Sequence, residues 1–159
     1  MKIKSLTTLL LALMLGLFVS RSVSAQKGSY QGFPSMVWPK LYDIQFVKAT
    51  DANGEYEKPV FSAAAKSLQG KTISLPGYMA PFESGMKGKH FMLSSLPLNA
   101  CFFCGVGGPE TVIEVFLKEE VSYTEKPIEV SGTLMLNDTN PDQMIYVLKN
   151  AVITGEPGF

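Results

Sequence analysis

The sequence predicts a mostly β domain, a small OB-like Greek-key barrel with one short helix, placed behind an N-terminal export signal. Three observations lead there. Short apolar and β-branched runs recur from about residue 71 to the C-terminus with turn residues between them. Only one stretch, about residues 60–69, carries helical spacing. The first 25 residues have the layout of a cleavable signal peptide.

In that leader, Lys2 and Lys4 precede an apolar run from Leu9 to Val19, about 11 residues against the ~20 needed to cross a bilayer. Val23 and Ala25 occupy the small-residue positions before a cut between Ala25 and Gln26. The short run and the cleavage site favour a removed signal over an uncleaved anchor. No cysteine lies near the cut, which argues against a lipid-modified terminus, and no second long apolar stretch follows. The expected product is periplasmic or secreted and not an integral membrane protein. The expected division is 1–25 signal peptide, 26–40 irregular N-terminal lead-in rich in Gly and Pro, and 41–159 a single β-barrel-like domain.

Within that domain, Leu41 to Val47 alternates as a strand, and Asp51-Ala52-Asn53-Gly54 gives a turn. Phe61, Ala64, Ala65 and Leu68 share one helical face, with Pro59 before and Gly70 after it. Strands are expected at Lys71 to Tyr78, Gly88 to Leu96, Thr111 to Leu117, Ile128 to Leu136 and Ile145 to Ile153. Pro76-Gly77 marks a bend or an edge position in the first of these.

Charge narrows the function classes. Loss of Lys2, Lys4 and Arg21 with the leader leaves 11 lysines and no arginine against 14 acidic residues, a net charge of −3. Arginine is the side chain suited to bidentate recognition of phosphate and bases, so nucleic acid is excluded as a partner. No Gly-x-Ser-x-Gly, His-Glu-x-x-His or phosphate-binding glycine loop occurs, and a triad has only one histidine to draw on. A non-enzymatic binding domain is the expectation.

The chemically suggestive segment is Asn99 to Glu110, with Cys101-x-x-Cys104 followed by Gly105, Gly107, Gly108 and Pro109. Three readings stay open. A plain disulfide suits an oxidising compartment, and its four-residue loop stabilises by on the order of 2 kcal/mol. Two thiolates are also half of a tetrahedral metal site, for which His90 and Glu110 are the further candidate ligands; zinc or copper would suit such a donor set, Met92 joining for Cu(I). Thiol–disulfide exchange needs a lowered thiol pKa, and no helix follows the motif to supply it.

Two other stretches stand out. Tyr78, Met79 and Phe82 form an apolar run broken by prolines, read either as a ligand rim or as a cap on the barrel. Asp51, Asn53, Glu55 and Glu57 faintly resemble a calcium loop but read better as a solvated hairpin or loop. Asn137-Asp138-Thr139 matches a glycosylation sequon.

Gly70 to Phe82 with its Gly-Tyr-Met-x-Pro core, Phe91-Met92-Leu93, and Cys101-x-x-Cys104 with Gly108-Pro109-Glu110 together resemble the bacterial exported family called domain of unknown function 3299. The resemblance spans roughly residues 38–155. That family is functionally uncharacterised. Its members are typically periplasmic or envelope proteins, some beside a transporter of the lipoprotein-release or macrolide-export type in gene neighbourhoods linked to zinc supply. The resemblance implies an accessory domain that handles zinc or copper or docks on an envelope ABC transporter, with Cys101 and Cys104 as its metal-ligand candidates.

Overall fold

A computed structural model describes residues 33, 35–51, 54–81 and 87–156; the expected signal peptide, Phe82 and Asn53 lie outside them. Among the described residues the elements run α1 (Trp38–Tyr42), β1 (Ile44–Asp51), β2 (Gly54–Phe61), α2 (Ala63–Lys66), β3 (Thr72–Pro81), β4 (Lys87–Ser94), β5 (Val112–Ser122), β6 (Ile128–Leu136) and β7 (Tyr146–Gly155). Three single 3-10 turns, Leu98–Ala100, Phe102–Cys104 and Pro109–Thr111, shape the long β4–β5 connection.

Strands β3 to β7 close into a barrel in the order β3-β4-β5-β7-β6. Every pairing is antiparallel except β5 with β7. Counting barrel strands alone, the order is one-two-three-five-four, the arrangement of an OB-type Greek-key barrel. Alternation along each strand fills the interior: Leu75, Phe91, Leu93, Ile113, Val115, Val130, Leu134 and Leu148 are buried in the core.

Pro76-Gly77 is where β3 changes partner. Thr72 to Gly77 pair with β6, and Tyr78 to Pro81 pair with β4. At that crossing β3 runs so close to β4 that a Cβ on Gly77 would stand 2.7 Å from the Ser94 carbonyl oxygen and 2.8 Å from Leu93 Cγ. Proline costs little there, and its carbonyl accepts the Trp38 indole N–H at 2.8 Å. A second irregularity is in β7, where the registers with β5 and β6 both slip and Asn150 takes φ 53°. This is a bulge at a barrel corner.

Residues 38–66 stopper one end of the barrel. Trp38 and Leu41 of α1, Phe61, and Ala65 with α2 join the core. The Tyr146 hydroxyl at the start of β7 donates to Leu41 O at 2.6 Å. Because β5 and β7 are parallel, the connections that lead into them, residues 95–111 and 137–145, open at this same stoppered end.

The sequence reading needs three corrections. Residues 38–42, placed at the end of an irregular lead-in and the start of a strand, form a helical turn: Ser35 Oγ accepts from Val37 N and Trp38 N, Pro39 fits the first turn, and Trp38 and Leu41 bury one face. Gly54–Phe61 is a full strand, paired with β1 from Ile44↔Phe61 to Asp51↔Gly54. The helix expected over 60–69 shrinks to Ala63–Lys66. Phe61 still belongs to β2, and Ser62 caps the helix by accepting from Ala65 N at 3.1 Å.

Candidate functional site

The Cys-x-x-Cys segment sits in the β4–β5 connection, whose feet are clamped by hydroxyls. Ser94 Oγ donates to Leu96 O, Ser95 N and Ser95 Oγ both donate to Thr111 O, and Thr111 Oγ1 donates to Gly108 O. Pro109–Thr111 packs against α1. The loop is therefore fastened to the rigid end of the barrel, although no recognised motif singled out Ser94, Ser95 or Thr111 in the sequence.

On that base, Cys101 is extended (ψ 173°) and leads into the turn Phe102–Cys104. Cys104 N donates to Cys101 O at 3.1 Å and Gly105 N to Phe102 O at 2.9 Å. Gly105 then turns the chain with φ 76°, a left-handed conformation that side chains resist. The result is a tight knuckle with Cys101 only 2% exposed and Cys104 at the surface. Their sulfurs stand 4.0 Å apart and are not joined. Phe102 and Phe103 meet edge to face at 5.4 Å, and Phe103 (52% exposed) and Val106 (49% exposed) are exposed in the same loop.

Partial desolvation raises the Cys104 thiol pKa, and the hydrogen bond and charge of Cys101 raise it further. That is opposite to the shift an exchanging thiol requires.

The other two candidate ligands are not gathered with the cysteines: the Glu110 carboxylate lies against Gly108, and His90 is on β4. His90 Nε2 lies 2.8 Å from Glu114 Oε1, and its ring stacks on Phe116 at 4.5 Å and 6°. Glu114 is buried, and its other oxygen accepts Met144 N at 3.0 Å, tying the 137–145 connection to the outer face of β5. In OB barrels the face of strands two and three is a ligand surface, and here its polar pair is occupied in holding a loop. The negative charge of Glu110 acts on tyrosines: burial raises the Tyr42 and Tyr146 phenols above their ordinary range, and Glu110 adds to both. Among the described residues no group of three or more His, Cys, Asp or Glu side chains is gathered for a metal ion. The knuckle brings Cys101 and Cys104 together.

Of the apolar rim, Met79 points inward and is buried in the barrel core, while Tyr78 is half-buried outside with its ring 4.9 Å from Phe33; Phe82 is outside the described residues. Glu55 and Glu57 are exposed on β2 and, with Asp138 and most of the 137–145 connection, line an open cleft of about 580 Å³. Asn137 of the sequon is a loop staple. Its Nδ2 donates to Asn140, Gln143 and Met144 carbonyls, and its Oδ1 accepts from Thr139 N and Asn140 N.

No helix among the described residues is long and apolar enough to cross a membrane. No family model, curated protein or solved structure matches the chain.

Proposed function

We propose that the protein is an exported, non-enzymatic binding module that holds a soft transition-metal ion, zinc or copper, on Cys101 and Cys104. The carrying observation is the 4.0 Å sulfur separation within the Gly105 knuckle. Two thiolates ~2.3 Å from zinc at a tetrahedral angle stand ~3.8 Å apart, whereas a disulfide needs ~2.05 Å. The sulfurs stand near the first distance, on a turn that backbone bonds hold. The leader and the resemblance to an exported family near zinc-supply genes support the same reading, with an envelope ABC transporter component as the partner that would receive or deliver the ion. The raised Cys104 thiol speaks against a thiol oxidoreductase.

Zinc and Cu(I) titration of protein purified with a non-thiol reductant tests this. Submicromolar affinity, lost in Cys104→Ser, is expected. Wild-type protein with both thiols reduced and no affinity better than micromolar would discard the metal reading and leave a secreted barrel with a pinned loop.

A further inference from the structure

The two-stranded β1–β2 ribbon has an unpaired edge. β2 pairs with β1 in unbroken register and, among the described residues, with no other strand. Beside it lies the open cleft of about 580 Å³, inside the range of roughly 300–1,000 Å³ usual for ligand sites. Gly54 to Pro59 line it in unbroken succession, and no described residue of β1 does. Successive strand residues point to opposite faces, so a space touching all of them runs along the edge of β2 rather than over one face. The facing wall, the 137–145 connection, is held by Asn137 and by the bond from Met144 N to Glu114. The cleft is therefore preformed.

Pro59 shows which backbone groups face this space. A proline inside a paired strand turns its nitrogen away from the partner strand. The alternation of an antiparallel ladder gives Glu57 and Glu55, two and four residues earlier, the same orientation. Their N–H and C=O groups face the cleft, and their exposed carboxylates share one face of the ribbon. Among the described residues neither carboxylate has an ion-pair partner: Lys48 stands opposite Glu57 on β1 without pairing, and Lys58 Nζ reaches Asp138 Oδ2 at 3.9 Å instead. Tyr56, 41% exposed, is on the other face.

We propose that this cleft takes an extended, basic peptide segment of a partner protein as a third strand beside β2. The segment's backbone bonds the N–H and C=O groups of Glu55 and Glu57. Lysine or arginine at alternate positions meets the two carboxylates, and the residue between them rests beside Tyr56, so the pattern recognised is basic, apolar, basic. Pro59, with no N–H to give, ends the pairing. The cleft shares no residue with the cysteine knuckle, and the proposal does not rest on metal binding.

The test is amide hydrogen exchange and chemical-shift titration of the full chain, with chelator present, against two capped peptides, Lys-Val-Lys-Val-Lys and Glu-Val-Glu-Val-Glu. In the free protein the Glu55 and Glu57 amides should exchange fast, and those of Tyr56 and Lys58, bonded to β1, slowly. The lysine peptide should bind saturably below millimolar concentration, slow exchange at Glu55 and Glu57, and shift resonances along 54–59 and 137–145. Methylating its lysine backbone nitrogens, which face β2, should abolish binding; methylating those of its valines should not. Glu55→Gln with Glu57→Gln, both at exposed positions, should weaken binding about tenfold. Glu55 and Glu57 amides already protected in the free protein would overturn the proposal, since the chain itself or a second copy would then fill the edge, and light-scattering mass separates those two. Equal affinity for the glutamate peptide would overturn the charge match. Indifference to the position of methylation would overturn strand addition, and no binding at millimolar peptide would overturn the site.

Discussion

At the scale of single residues, side chains that looked functional divide into those that hold the structure and those that reach the surface. Asn137 is of the first kind. Five hydrogen bonds from one amide hold the 137–145 connection, so Asn137→Ala should cost about 2 kcal/mol, read as a lowered urea midpoint with unchanged slope. Asn137→Asp should cost at least as much, because it sets a carboxylate against three carbonyl oxygens. The amide nitrogen is committed in the same way against a glycan, and peptide mapping of folded protein exposed to a glycosylating host should find Asn137 bare. Cys104 is of the second kind. With its pKa raised, the thiolate is scarce at neutral pH, so alkylation of Cys104 should be slow at pH 7 and show a midpoint above the ~8.5 of a free thiol. A midpoint below that value would revive the exchange reading. The cysteine pair was legible in sequence because its spacing is local. The partners of His90 and Glu110 were not, since Glu114 lies 24 residues from His90 and meets it only through strand pairing.

At the scale of elements, local pattern and tertiary demand disagree in instructive places. Ile128–Leu136 was readable to the residue because both flanks carry turn signals and its alternation is regular. Gly54–Phe61 was not, since five of its eight residues are exposed and Pro59 argues against a strand; it persists as an edge partner of β1, where a missing N–H costs little. The β3 crossing shows the reverse case, in which a sequence breaker is what the topology needs. Gly77 has the Ser94 backbone and the Leu93 side chain against its α-carbon. Gly77→Ala should therefore destabilise by about 1–3 kcal/mol through overpacking, although the substitution ordinarily favours a strand. Thermal melts of the variant would show this directly, and an unchanged midpoint would mean that the β3–β4 crossing is looser than its geometry indicates.

At the scale of the whole molecule, the barrel class was legible because strand count, spacing and length leave few ways to bury one core. Its closure was not, because the β5–β7 pairing joins segments separated by the whole of β6, and neither strand's sequence names its neighbour. The stoppered end was equally hidden: α1 is one turn long and too short to show periodicity, so its role comes from packing alone. That dependence makes a prediction about cooperativity. Trp38 is the chain's single tryptophan, 1% exposed, bonded to Pro76 O in the middle of β3 and stacked on Tyr42. Its fluorescence reports the stopper, while far-ultraviolet circular dichroism reports the barrel. Since Trp38, Leu41 and Phe61 share one core with Leu75, Tyr146 and Leu148, the two signals should fall together in urea with the same midpoint and slope. A tryptophan transition well ahead of the loss of sheet would show the stopper to be a separate unit that opens first. The knuckle, anchored where Pro109–Thr111 meets α1, would then be loosened in the same step.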